Sequence, residues 1–271
     1  MNYIPIFLAS DDGYSPFIAT TMASICFNTK SRINFYILDS GITRKNKNNI
    51  QKIKTVFNNC SVEFIKINLD EYFKGFPEIA HLTRSAYMRY LIPEVKLEID
   101  RAIYADVDVI FNADIKELYE TDLHDFAIGA VCINFNGKTN IINEVIERLG
   151  LINENSIFNS GILLIDCKKW RSQNITEQLL LLTSKLGSEK KLKAADQDVL
   201  QKYFDGKYLH LPYVWNINSG NILEYKRTER FENVKVFHFS GPKKPWLGGG
   251  GISRNINIFG NTFLIQLLRK I

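Results

Sequence analysis

Two carboxylates one residue apart, Asp106 and Asp108, follow the apolar run Ile103-Tyr104-Ala105 and precede Val109-Ile110-Phe111. Ile, Val, Tyr and Phe favour extended backbone, so the pair is expected at the carboxyl end of a β-strand. An i, i+2 spacing on a strand turns both side chains to one side. Two negative charges so held repel unless a cation lies between them or one takes up a proton. Hard oxygen ligands of this kind suit Mg²⁺ or Mn²⁺ bridging to phosphate oxygens. By itself the pair fits a solvated turn as well as a cation site.

Further chemistry-bearing residues fall in short runs: Ala9-Ser10-Asp11-Asp12-Gly13-Tyr14, Phe158-Asn159-Ser160-Gly161, Ala195-Asp196-Gln197-Asp198 and His238-Phe239-Ser240-Gly241-Pro242-Lys243-Lys244-Pro245-Trp246. Each has a plain structural reading. Asp11-Asp12-Gly13 makes an ordinary turn, Asp196 complements a helix dipole, and His238 sits on a strand as a core histidine.

The elements that must position these residues alternate along the chain. Ile6 to Ala9, Phe35 to Leu38, Val62 to Ile67 and Ala102 to Ala105 read as strands. Between them, Pro16 opens a helix after Ser15, and Thr43 caps a second helix carrying Ile50, Ile53 and Phe57. Tyr87 to Leu91 reads as a helix stopped by Pro93. Phe126 to Cys132, Ile162 to Ile165 and Val234 to Phe239 continue the strands, with helices over Trp170 to Leu186 and Ala194 to Phe204. Strand–helix alternation with short connections implies an α/β fold, a mostly parallel sheet covered by helices on both faces. Such sheets bind ligands at the carboxyl ends of their strands, where both acidic clusters fall. Residues 1–250 are expected as one domain and 251–271 as a terminal helix, with Phe259, Phe263, Leu267 and Leu268 on one face. That helix could lie on a membrane surface or on a partner.

The bulk composition is that of a globular protein: 271 residues, 45% hydrophobic and 23% charged, enough for a substantial core and arguing against a disordered or fibrous chain. A net charge of +5 suits an anionic substrate or surface. Basic residues read as scattered apart from Lys185 to Lys193, a solvated segment, and no basic–aromatic interleaving points to nucleic acid. Cys26, Cys60, Cys132 and Cys167 form no paired motif and read as reduced thiols. The N-terminus shows no leader pattern and no window is long enough to span a bilayer, so a cytoplasmic protein is expected.

In order and spacing, the motifs at 9–14, 104–109, 158–170, 195–200 and 238–246 resemble glycosyltransferase family 8, the retaining GT-A enzymes. Within it the chain is most similar to bacterial lipooligosaccharide and lipopolysaccharide galactosyl- and glucosyltransferases. The resemblance implies a UDP-galactose or UDP-glucose donor and a saccharide acceptor, lipid-linked, at the inner face of the cytoplasmic membrane. It implies Mn²⁺, with Mg²⁺ as the alternative, held by Asp106, Asp108 and His238; an imidazole ligand favours Mn²⁺. Lys244 then contacts the diphosphate and Gly241 lets backbone approach it. Ala9, Asp11, Tyr14 and the Val107 backbone hold the nucleotide. Arg89, Asp196, Asn159 and Gly161 hold the donor sugar, and His81 reaches the diphosphate or the acceptor side. Gln197 lies near the anomeric carbon. An amide is a poor nucleophile, so front-face attack is expected, with Asp198 as the fallback nucleophile. Where many relatives carry an aspartate after the strand near Cys132, this chain has Ile133 and Asn134.

Competing readings predict different behaviour. A UDP-sugar sensor binds without turnover. A two-metal phosphotransferase or nuclease cleaves phosphodiesters with no preference for UDP. A self-glucosylating enzyme like glycogenin modifies its own tyrosine.

Overall fold

Apolar residues alternate on the first strands so that each face of one sheet builds its own core. The computed structural model describes residues 3–79, 83–133, 139–218, 233–241 and 244. Its strands are β1 Ile4–Ser10, β2 Ile33–Asp39, β3 Cys60–Lys66, β4 Arg101–Ala105, β5 Val109–Phe111, β6 Ile128–Cys132, β7 Phe158–Asp166, β8 Leu209–His210, β9 Ile217–Asn218 and β10 Val236–His238. Seven of them form the main sheet in the order β3-β2-β1-β4-β7-β6-β8. Every neighbouring pair in it is parallel except those of β7, which runs antiparallel to β4 and β6. On one face Phe7, Tyr36, Leu38, Tyr104 and Leu163 pack with Trp170, Leu179 and Val199. On the other, Ile6, Leu8, Phe35, Ile37 and Ile103 pack with Ile18, Met22 and Ile25. Each such side chain contributes roughly 1.5–3 kcal/mol on burial, and a one-residue slip would exchange the faces, so the register is fixed.

The α/β expectation holds, with local differences. Pro5 does not interrupt the first strand: β4 joins β1 only at Ile6 and Phe7. Residues Arg84–Leu91 form a 3₁₀ turn, and Pro93 opens the short helix Ile92–Val95 instead of ending one. The expected helix from Trp170 is two, Cys167–Ser172 and Ile175–Ser188, broken at Asn174 with φ 51°. Thr43 caps the helix Arg44–Gln51 as expected, accepting from the Asn46 amide. His81, the tetraglycine 248–251 and the tail 251–271 lie outside the described residues.

A second sheet, β5-β10-β9, sits beside the carboxyl end of β4. β10 is antiparallel to β5, with His238 opposite Val109, and parallel to β9, with His238 beside Asn218. This sheet carries a residue from late in the chain to the Asp106–Asp108 turn.

Candidate active site

Asp106-Val107-Asp108 is the turn between β4 and β5, not part of an extended strand. The two carboxylates share a direction because that turn is pinned, not because of strand alternation. Thr21, on the helix Ser15–Asn28, donates its hydroxyl to the carbonyls of Val107 (3.0 Å) and Val109 (2.9 Å). Ser24 Oγ accepts from the Phe111 amide and Asn28 donates to the Phe111 carbonyl. Polar side chains on an otherwise apolar helix thus replace sheet partners that β5 lacks. From the far side the Phe239 amide donates to the Asp108 carbonyl.

Asp106, Asp108 and His238 converge so that one ligand atom from each lies within 4.8 Å of the others. His238 Nε2 is 3.3 Å from Asp108 Oδ1 and 3.6 Å from Asp106 Oδ2. Its other nitrogen, Nδ1, meets Asn216 Oδ1 at 2.9 Å. Asn216 Nδ2 donates to Asn159 Oδ1, so Oδ1 is its acceptor end and Nδ1 of His238 carries the proton. The Nε2 lone pair then faces two carboxylates, an arrangement a divalent cation satisfies. Gly161 shapes the same space: a Cβ there would come within 2.3 Å of His238 Cε1 and 2.7 Å of Asp106 Oδ2. The donor set and this cradle fit a hard or borderline divalent ion.

A cationic side chain stands beside the trio. Lys244 Nζ pairs with Asp108 Oδ2 at 2.5 Å and donates to the Phe239 carbonyl. Burial opposes ionisation of Asp108, but its contacts with His238 and Lys244 outweigh it and hold the carboxyl well below the usual range. Gly241 adopts φ 86°, open to glycine at little cost, at the bend before Lys244.

Arg89, 5% exposed, joins the metal end to the sugar end. It donates to Asp106 Oδ1 (3.1 Å), pairs with Asp196 Oδ2 (3.1 Å) and holds the Ser160 carbonyl and hydroxyl. Its plane stacks over Tyr104, whose hydroxyl donates to Asp106 Oδ1 at 2.6 Å. With its donors so engaged, Arg89 acts chiefly by orienting the two carboxylates. Burial pushes Asp196 up to about 6, helped by the nearby Asp106 charge and opposed by Arg89 and the Ser160 hydroxyl.

Gln197 Oε1 accepts from Asn159 Nδ2 and the Ser160 amide. Gln197, Asn159, Asn216 and His238 therefore form one chain of hydrogen bonds, in which Asn159 and Asn216 each accept at one end and donate at the other and Gln197 accepts. Asp198 is elsewhere. Its carboxylate accepts from both Arg148 terminal nitrogens (2.9 and 3.2 Å) and from the amides of Lys193 (2.6 Å) and Ala194 (2.7 Å). It braces the turn before Ala195, which sits at φ 46°, an uncommon conformation for a residue with a Cβ.

These groups line one cleft of about 450 Å³, a volume suited to a small-molecule ligand. Ala9, Asp11, Tyr14, Arg89, Asp106, Val107, Asp108, Asn159, Asp196, Gln197, His238, Gly241 and Lys244 all border it. Asp11 caps the Tyr14 amide, while Asp12 turns away to Thr43 and Asn46. Neither Gly161 nor Asp198 is on its lining; Gly161 bears on the cleft through the room it leaves for His238 and Asp106. Reading the sequence missed Asn216, Tyr104 and Ser160. Asn216, 1% exposed, carries no motif signal; Tyr104 and Ser160 lie inside quoted motifs but are given no role of their own by them.

An α/β sheet with a metal-ready carboxylate and imidazole cluster, cationic and amide-lined, at its strand ends defines a glycosyltransferase of the GT-A class. The sequence pattern of "Glycosyl transferase family 8" matches residues 5–249, and the chain belongs to that family. A putative glycosyltransferase of Haemophilus influenzae is 30% identical over 250 residues, 89% of this chain and 72% of that one. The lipopolysaccharide 1,2-glucosyltransferase of Escherichia coli is 27% identical, covering 87% of this chain and 70% of its own. The galactosyltransferase LgtC, solved with donor and acceptor sugar analogues, superposes with a TM-score of 0.78 at 26% identity, covering 95% of each chain.

Proposed function

We propose that this glycosyltransferase moves galactose or glucose from a UDP-sugar to a saccharide acceptor with retention at the anomeric carbon, using Mn²⁺. The observation that carries the proposal is the convergence of Asp106, Asp108 and His238 beside Lys244 and Tyr14 in one cleft. Asp106, Asp108 and His238 would hold the ion, which when bound supplies Lewis-acid charge to a diphosphate leaving group. Lys244, held by Asp108, adds a point charge on the same side for the phosphate oxygens. Tyr14 offers a ring face for the uracil, and Asp11 orders the turn beneath it.

At the sugar end, Asp196 accepts from hydroxyls and Arg89 keeps it oriented. Deprotonated Asp196 serves this role best above its raised pKa. The acceptor oxygen bonds to C1 as the C1–oxygen bond to UDP breaks on the same face, and the acceptor proton passes to the departing UDP oxygen. Gln197, fixed by Asn159 and the Ser160 amide, presents a rigid dipole behind C1 instead of a nucleophile. The engagement of Asp198 in four hydrogen bonds supports this front-face course over attack by that carboxylate. The bacterial lipopolysaccharide relative supports a lipid-linked glycan acceptor at the inner face of the cytoplasmic membrane. No helix among the described residues is long and apolar enough to cross a membrane.

The test is a screen of UDP-sugars for Mn²⁺-dependent hydrolysis, followed by the anomeric configuration of the product on a saccharide acceptor. Turnover of UDP-galactose or UDP-glucose with an α-linked product is expected. Binding without turnover would leave a sensor, and turnover insensitive to chelation would overturn the metal assignment.

A further inference from the structure

The net charge of this chain is not spread over it. Residues 13–62 hold seven Lys or Arg and one acid, Asp39, whereas the whole chain has 34 basic and 29 acidic residues. The rest therefore carries 27 against 28, and within it residues 219–271, with nine basic and three acidic residues, are a second positive segment. The fold sets it on one side of the molecule, over the core face that holds Ile18, Met22, Ile50 and Ile53. Arg44, Lys45, Lys52 and Lys54 are exposed along the helix Arg44–Gln51 and the 3₁₀ turn Lys52–Thr55, and Lys30 is exposed just past the helix Ser15–Asn28. Among the described residues, Lys47 alone of the seven pairs with an acid, Asp39.

Two apolar side chains stand at the lower end of this basic stripe. Phe27 is 42% and Val56 43% exposed. Their segments are bolted together by Asn59, whose Nδ2 donates to the carbonyls of Cys26 (3.2 Å), Thr29 (3.1 Å) and Ser31 (3.4 Å). At the upper end, the Thr43 amide and Asn46 Nδ2 both donate to Asp12 Oδ1 at 2.8 Å, tying the stripe to the corner of the cleft. The stripe is thus hydrogen-bonded to the turn beside the site.

We infer that this face docks the protein on an anionic bilayer surface. Lysines without acidic partners gain from the negative potential of such a surface, and long stems let the ammonium groups reach headgroups while their methylenes pack. Apolar groups among the cations suit the boundary between headgroups and acyl chains, where a polyanion in water gives them nothing. The docking does not depend on which sugar the cleft transfers. It fixes the angle the cleft presents to anything anchored in that bilayer.

The test is co-sedimentation of the full chain with vesicles of phosphatidylcholine alone or mixed with phosphatidylglycerol. Binding is expected only with phosphatidylglycerol, falling steeply between about 0.05 and about 0.5 M salt as the Debye length shrinks. Lysines near a charged surface contribute roughly fivefold each, so K30E/K45E/K52E/K54E should weaken binding at least about a hundredfold with an unchanged thermal melt. Val56→Asp should weaken it several-fold further than charge alone explains. Undiminished vesicle binding by the fourfold variant would overturn the inference, as would no binding of the native chain to phosphatidylglycerol. If Val56→Asp has no effect and soluble polyglutamate competes fully at equal charge, an acidic protein replaces the bilayer as the partner.

Discussion

Replacing Asn216 with leucine should disable metal binding without touching a metal ligand. The side chain is 1% exposed and closes two hydrogen bonds, to His238 Nδ1 at 2.9 Å and to Asn159 Oδ1 at 2.8 Å. Leucine is similar in size, so the loss is polar, not steric. Each buried group left without a partner costs about 1–3 kcal/mol, so a stability loss of about 2–4 kcal/mol is expected. The larger consequence is at His238. Without an acceptor at Nδ1, the proton is better placed on Nε2, where Asp108 Oδ1 at 3.3 Å and Asp106 Oδ2 at 3.6 Å can accept it. That tautomer has no lone pair for a cation. Outer-sphere partners of this type are worth roughly 10–100-fold in metal affinity. The assay is the Mn²⁺ concentration giving half-maximal UDP-sugar hydrolysis, with calorimetric titration of Mn²⁺ as a check. Asn216→Asp keeps an acceptor for Nδ1 and should restore most of the affinity while still losing the bond to Asn159. An unchanged Mn²⁺ requirement in the leucine variant would refute the tautomer argument.

Other perturbations read different parts of the site. Gly161→Ala puts a methyl 2.3 Å from His238 Cε1, so activity should fall by about a hundredfold or more while overpacking costs about 1–3 kcal/mol in a thermal melt. Arg148→Ala leaves Asp198 charged and buried without its partner; a loss of about 3 kcal/mol is expected, and Asp198→Asn should retain measurable turnover, which a nucleophilic Asp198 would not allow. Asp196 binds its proton more tightly in the folded chain than at the ordinary 3.8, with its pKa pushed up to about 6. Its contribution to stability is therefore complete below about pH 4 and is lost as pH rises through about 6, up to roughly 3 kcal/mol, and Asp196→Asn should flatten that part of the stability–pH curve.

Much of the architecture was legible because burial on both faces leaves a strong pattern. Runs such as Ile33–Asp39 could hardly be anything but interior strands, and Thr43 announced its helix through a capping hydroxyl. Strand direction was not legible. A strand buried on both faces, such as β7, reads the same in either sense, and only packing turns it antiparallel. The break at Asn174 escaped because Trp170 and the following leucines keep a helical rhythm across it. In the site, residues with an unusual type at a motif position were found: Asp106, Asp108, His238 and Lys244 do converge. Asp198 shared that acidic signal yet serves as a brace, since a carboxylate in the first turn of a helix looks alike in either role. Asn216 was invisible, because nothing in Tyr213-Val214-Trp215-Asn216 marks one asparagine as the partner of a histidine 22 residues later.

In the proposed function a cation bridges this protein to a diphosphate, and calorimetry of UDP binding tests that bridge most directly. The native chain should bind UDP tightly with Mn²⁺ and at least tenfold more weakly in chelator, and His238→Ala and Asp108→Asn should remove that difference. Equal UDP affinity with and without Mn²⁺, or a metal effect that survives both substitutions, would contradict it.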